Sequence, residues 1–166
     1  TMKLDIKALL ILAVIVGAAA LFFFMPSKGL QAAPNAEITT IDGNKIATEQ
    51  LKGKPYLAVF WATSCSGCVK EIPQLVELQK EFGQDGFKVL AIAMEYDELP
   101  LIKTMREQKG MNYDITWDQG GVLAKAFGGV RVTPTNFLVS GDGKIVMQQL
   151  GDFKVDDMRE RIKTLL

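Results

Sequence analysis

Between Pro55 and Ala62 the chain reads PYLAVFWA, an apolar run with no charge and no alternation, and the first cysteine follows it by three residues. A strand covered on one face alternates apolar and polar side chains. A continuous run bounded by turn residues belongs instead to a strand buried on both faces. FKVLAIAM, from Phe87 to Met94, apolar except for Lys88 near its start, reads as a second buried strand, and between the two Ile72, Leu75, Val76 and Phe82 fall on one side of a helix. Buried strands alternating with helices require a sheet with cover on each face, which restricts the fold to the α/β class.

The remaining segments extend that plan. AEITTI, the turn residues Asp42-Gly43-Asn44 and KIA predict a short N-terminal hairpin. Leu99 to Lys109 and Val122 to Phe127 read as helices, TNFLVS and IVMQQL as a hairpin turning at GDGK, and Asp156 to Leu166 as a closing amphipathic helix. The expectation is an α/β sandwich with a mixed central sheet, spanning residues 36–166 as one domain.

Ahead of that domain, Ala8 to Met25 (ALLILAVIVGAAALFFFM) holds no charge. As a helix it would extend about 27 Å at roughly 1.5 Å per residue, enough to cross a hydrocarbon core. Lys3 and Lys7 precede it and Lys28 follows, which orients it with the N-terminus inside and the domain outside. A cleaved signal peptide is the alternative, with Ala18-Ala19-Ala20 as the small-residue site, but LFFFM continues the apolar run past that point. The expected organisation is a cytoplasmic stub at 1–7, a transmembrane anchor at 8–25, a linker at 26–35 (PSKGLQAAPN) and the folded domain from Ala36.

Composition then removes several chemistries. Lysine plus arginine and aspartate plus glutamate both count 19, so no net field draws the protein to nucleic acid. Histidine is absent, which removes the imidazole base of Cys-His and Ser-His catalysis and the commonest metal ligand. Two cysteines without histidine cannot complete a structural zinc site, and no metal is expected.

Both cysteines lie in WATSCSGCVKEIP, Trp61 to Pro73. Cys65 comes just after the first buried strand, at the start of the next helix, with Thr63 or Ser64 available as the cap. Unpaired N–H groups and the positive end of the helix dipole favour thiolate there, which marks Cys65 as the nucleophile. Cys68, one turn further in and less exposed, is the natural resolving thiol. A structural disulfide enclosing only two residues removes little chain entropy, and a metal clamp lacks further soft ligands, so a redox-active pair is the stronger reading.

FWATSCSGC, the downstream VTPTNFLV and the GDGK hairpin together resemble the thioredoxin superfamily, and within it the membrane-anchored TlpA-like and ResA-like group that includes the cytochrome c maturation thioredoxins. The resemblance covers nearly all of Ala36 to Leu166. It implies a thioredoxin fold with an added N-terminal hairpin and an insert around Glu95 to Phe127, a cis peptide at Pro134 facing the cysteines, and Thr133 with Pro134 holding a client strand. Two positions depart from cytosolic thioredoxins: their buried aspartate corresponds to Val59, and the tryptophan before the first cysteine to Ser64. Glu71, in a CxxCxxE pattern followed by proline that matches the glutamate of the ResA-like group, offers a replacement acid, with a solvated helix charge as its alternative. Trp61 is read as core that borders the site and touches the client.

The resemblance further implies a membrane-tethered thiol-disulfide oxidoreductase of the bacterial inner membrane, its domain in the periplasm. It would reduce disulfides of periplasmic proteins, in cytochrome c or copper-site maturation, and be recharged by a transmembrane electron donor of the DsbD/CcdA type. No cofactor is implied beyond the Cys65-Cys68 pair. Two alternatives remain open: a thiol peroxidase, for which Thr63 is present but no arginine is near in sequence, and a non-catalytic copper chaperone, which would want histidine or methionine near the thiols.

Overall fold

A computed structural model describes residues 11–17 and 31–166. Residues 11–17 are helical; the rest of the expected anchor, the stub and the linker up to residue 30 lie outside the described residues. Among those described, no helix is long and apolar enough to cross a membrane.

A five-stranded sheet organises the domain. β3 (Tyr56–Trp61) lies at its centre, parallel to β4 (Lys88–Ala93) and antiparallel to β6 (Thr135–Val139); β5 (Asp114–Trp117) and β7 (Ile145–Leu150) form the edges, giving the order β5-β4-β3-β6-β7. β1 (Glu37–Thr39) and β2 (Lys45–Ala47) make the separate N-terminal hairpin. All six residues of β3 are buried, the outcome that its unbroken apolar run requires. Leu57, Val59 and Trp61 face one side with Val89, Ala91 and Ala93, under α1 (Ser66–Phe82), α2 (Leu99–Lys109) and α4 (Val155–Leu165). Ala58 and Phe60 face the other side with Leu90 and Ile92, covered by Ile38 of the hairpin and by α3 (Val122–Ala126). Phe60, Phe127 and Phe137 pack there with ring centroids 5.0 to 5.9 Å apart, within the range where aromatic pairs attract beyond simple burial.

α1 presents Ile72, Leu75, Leu78 and Phe82 to the sheet. Pro73 inside it has no N–H to donate to the preceding turn, and the helix continues because its apolar face is fixed by the core. α2 stops at Gly110, which takes φ 60° and returns its N–H to the last helical carbonyls, a conformation that glycine adopts without steric cost.

Two expectations about organisation are corrected. The insert between β4 and the Thr133-Pro134 loop contains β5, a fifth sheet strand that Asp114 and Thr116 obscure in the sequence; it forms because it pairs in parallel with β4, burying Ile115. The folded domain also begins before Ala36. The Gln31 carbonyl accepts from the Ile145 N–H, and the Ala33 N–H donates to Gly143, so residues 31–35 of the expected linker are tied to the β6–β7 turn. Backbone pairing of this kind leaves no trace in side-chain composition.

Candidate active site

Parallel β3, β4 and β5 end on the same side of the sheet, and the cysteines lie beyond the end of β3. Cys65 is itself the N-cap of α1, in extended conformation (φ −90°, ψ 108°), and its sulfur accepts a hydrogen bond from the Cys68 N–H at 3.2 Å. This corrects the expected cap. Thr63 is committed elsewhere: its N–H and hydroxyl donate to the two carboxylate oxygens of Asp97 at 2.7 and 2.8 Å, and the Glu98 N–H completes that carboxylate's shell at 2.9 Å. Asp97, 7% exposed, thereby ties the loop after β4 to the loop that carries Cys65.

Cys65 and Cys68 are joined as a disulfide with Cα atoms 5.2 Å apart. Cys65 is half-buried, whereas Cys68 is 2% exposed, so only the first sulfur is open to attack a partner. The Thr133–Pro134 bond is cis. Pro134 packs against the residue between the cysteines: a Cβ placed on Gly67 would lie 3.6 Å from Pro134 Cδ and 3.4 Å from Asp152 Oδ1. Pro134 is buried and Thr133 half-exposed beside it.

Glu71 lies beneath the disulfide, 3% exposed. Its Oε1 accepts a hydrogen bond from Asn136 Nδ2 at 2.9 Å, while Oε2 is buried and unpartnered. Burial pushes the Glu71 carboxyl up to about 8; the Asn136 hydrogen bond works against that rise and the nearby Asp152 charge adds to it. A solvated helix charge is therefore not what Glu71 is. With this affinity the carboxyl exchanges its proton near neutral pH, as a general base for a thiol requires.

Glu71, Cys68, Val59, Trp61 and Tyr113 line one small cavity with room of about 10 Å³. Val59 and Glu71 thus share one space, and the carboxyl reaches it from α1 rather than from β3. Trp61 is 2% exposed and faces this cavity. The expected client contact at Trp61 is corrected accordingly: an indole on the inward face of β3, under α1, has no surface to offer.

Three residues of the site escaped sequence reasoning. Asn136 could have been noticed as a lone amide inside the buried strand TNFLV, since a buried amide needs a partner. Asp97, 34 positions from Thr63, and Tyr113 carried no local signal.

A redox disulfide closed over the first turn of the helix that leaves a central strand, with a cis-proline loop packed on it, defines a thioredoxin-fold redox protein. Comparison with known proteins narrows this. The AhpC/TSA family profile matches residues 30–148. The thiol-disulfide oxidoreductase ResA of Bacillus thuringiensis (strain Al Hakam) is 32% identical over 147 residues, spanning 86% of this chain and 83% of that protein; ResA of Bacillus cereus (strain ATCC 10987) is 31% identical over 134 residues, spanning 80% and 76%. Among solved structures, a thiol:disulfide interchange protein of the thioredoxin family from Chlorobium tepidum is 30% identical with TM-score 0.75, covering 82% of this chain and 96% of that one. A putative thioredoxin from Neisseria meningitidis is 27% identical, also with TM-score 0.75, covering 80% and 88%. The chain belongs to the AhpC/TSA family and, within it, to the ResA-like thiol-disulfide oxidoreductases.

Proposed function

We propose that this chain is a membrane-tethered protein-disulfide reductase acting on extracytoplasmic clients, and that Glu71 serves the second half of its reaction. Reduced Cys65, favoured as thiolate at the N-terminus of α1, attacks a client disulfide; one client sulfur leaves as thiolate and the other stays bound to Cys65. Cys68 then gives up its proton and its thiolate attacks the Cys65 sulfur. The Cys65–Cys68 bond forms, the second client thiolate leaves, and two electrons have passed to the client. The client strand lies along the Thr133–Pro134 loop, and a transmembrane dithiol donor of the DsbD/CcdA type returns the pair to the reduced state. The tether is the apolar segment at 8–25, and the compartment is the periplasm of a bacterial inner membrane.

The observation that carries this reading is the buried Glu71 carboxyl sharing a cavity with Cys68. Desolvation and a nearby carboxylate both hold a thiol in its protonated form, so Cys68 needs a base within reach to attack. A peroxidase fits less well, because the Thr63 hydroxyl near Cys65 already donates to Asp97. Proteins of cytochrome c or copper-site maturation, the clients expected from the sequence resemblance, are the class in which such disulfides would be sought.

Two measurements test the proposal. Cys68→Ser should accumulate mixed disulfides with oxidised client proteins, and Cys65→Ser should accumulate few. The reduction potential of the pair should lie below about −200 mV, in the range of dithiols that donate electrons rather than take them. A potential near about −120 mV, the range of strong oxidants, or trapping through Cys68 instead of Cys65, would overturn it.

A further inference from the structure

Lysines gather at the end of the sheet opposite the cysteines. Lys52 and Lys54 lie just before β3, and Lys88, the first residue of β4, sits in register with Tyr56, the first of β3. With Gln50 and Gly86 they line an open hollow of about 210 Å³, walled by Pro55 and Tyr56, and no carboxylate lines it. The alkyl stem of Lys54 crosses Gly86: a Cβ there would lie 2.8 Å from Lys54 Cγ and 2.9 Å from Cδ, and a glycine at φ 94° leaves that path clear. Glu49 pairs with Lys52 at 2.6 Å and Asp114 with Lys88 at 3.6 Å, neither acid lining the hollow, whereas Lys54 forms no ion pair among the described residues. Three lysines around one space without an acid in its wall make a site for an anion, and the compact charge of an ammonium suits a phosphate.

The chain enters the domain at this same end. The Gln31 carbonyl and the Ala33 N–H are bonded to Ile145 and Gly143 at the β6–β7 turn, and Gly53, between Lys52 and Lys54, donates to Gly141 of that turn at 2.7 Å. From Met25 to Gln31 the chain extends by at most about 21 Å. Cys65 lies beyond the far end of β3, whose six residues span roughly 17 Å.

We propose that the lysine hollow docks on the phosphates of anionic phospholipid headgroups, at the membrane that holds the segment at 8–25, with the Cys65 end turned outward to clients. This rests on the tether reading above. Reach and charge together select this occupant: the short connection keeps the chain's entry point near the headgroups, and the hollow beside that point carries the complementary sign. A soluble anion would use the charge but gives no reason for the site to adjoin the entry. Attraction to the headgroups is screened over about 8 Å at physiological ionic strength, so the contact is short-ranged and reversible, and the domain lifts away to present Cys65 to a donor within the membrane.

The test places the full oxidised chain in nanodiscs of phosphatidylcholine, with or without phosphatidylglycerol, each carrying a little headgroup-spin-labelled phosphatidylcholine, and reads amide broadening by NMR. With phosphatidylglycerol present, the amides of Lys54, Gly86 and Lys88 should broaden strongly while those of Ser66 and Gly67 stay sharp. That excess should be lost in neutral discs, in the double variant Lys54→Gln/Lys88→Gln, and as salt shortens the screening length from about 10 Å at 0.1 M to about 3 Å at 1 M. Both side chains are exposed, so the double variant should fold. Equal broadening at the two ends, or an excess indifferent to lipid charge, overturns the docking. So does a result in which inorganic phosphate shifts the three lysine-end amides of the detergent-solubilised chain saturably while the discs show no lipid preference, which would define a site for free anions. Size-exclusion chromatography before any spectrum separates the two levels: a chain that does not stay with the disc removes the tether and the docking with it, and a retained chain without lipid preference removes the docking alone.

Discussion

Glu71 of α1 and Asn136 of β6, 65 residues apart, share a hydrogen bond of 2.9 Å in which both side chains are buried. Neither would be tolerated there alone. A carboxyl and an amide inside an apolar core each need a partner, and the register that sets Asn136 opposite Val59 of β3 brings the amide under the helix. The same Asn136 Nδ2 also lies 3.4 Å from the Gly151 carbonyl, which links this pair to the loop carrying Asp152.

Removing the amide should therefore act on the acid. In Asn136→Ala the Glu71 carboxyl loses the one hydrogen bond that opposes its raised proton affinity, so its titration should move upward from about 8. Stability should fall by about 1–3 kcal/mol from the newly unpaired group, with a cavity contribution besides. Side-chain carbon NMR across pH reads the titration, and denaturant unfolding reads the stability. An unmoved Glu71 titration would contradict the hydrogen bond's role.

Glu71 also sets a pH dependence of stability. Its folded proton affinity lies near pH 8, against an ordinary value of 4.5, so between those values the folded state binds more protons than the unfolded state. Stability then falls as pH rises through that window. Relative to Glu71→Gln, which has no such proton, the oxidised wild type should lose roughly 3–5 kcal/mol between about pH 4.5 and pH 8, at about 1.4 kcal/mol per pH unit. Urea unfolding of both proteins at several pH values checks the sign. A wild type that gains stability over this window relative to Glu71→Gln would show the carboxyl to be ionised in the fold.

Asp97 should matter to the reactivity of Cys65 through the loop that carries it. Its carboxylate takes two hydrogen bonds from Thr63 and one from Glu98, and such charge-assisted bonds contribute about 1.5–3 kcal/mol each before coupling between them. Asp97→Ala should cost about 2–4 kcal/mol, with the loop from Thr63 to Cys65 losing its anchor. Iodoacetamide labelling of reduced Cys65 should change at least twofold in Asp97→Ala and be largely restored in Asp97→Asn, which keeps one acceptor. Equal labelling rates in all three proteins would confine Asp97 to a structural role.

For the segment at 8–25, the proposed anchor makes a simple expectation. The full chain should fractionate with membranes and resist carbonate extraction, and a reporter fused after Leu166 should be active only outside the cytoplasm. A soluble product cut after Ala20 would identify the segment as a signal peptide instead.

By itself the sequence determined the features that depend on neighbours along the chain. The unbroken run at Pro55–Ala62 and the run at Phe87–Met94, interrupted only by the exposed Lys88 at the start of its strand, became the central strands β3 and β4, because a strand covered on both faces admits no alternation. α2 came out at Leu99–Lys109 as read, ended by Gly110, and the spacing of Cys65 and Cys68 across one helical turn was enough to place their disulfide. The tertiary structure alone decided what depends on residues far apart. Thr63 stood open as a helix cap in the sequence, but the structure spends it on Asp97 and leaves the cap to Cys65. Trp61 was legible as apolar, yet only the packing of α1 over β3 turned it inward, away from any client. Glu71 was visible as an acid three residues beyond Cys68; its burial, its Asn136 partner and hence its proton affinity came from β6 folding beneath the helix. Burial and long-range pairing are properties of the assembled sheet and its cover, and a carboxyl's chemistry follows from them rather than from its place in a motif.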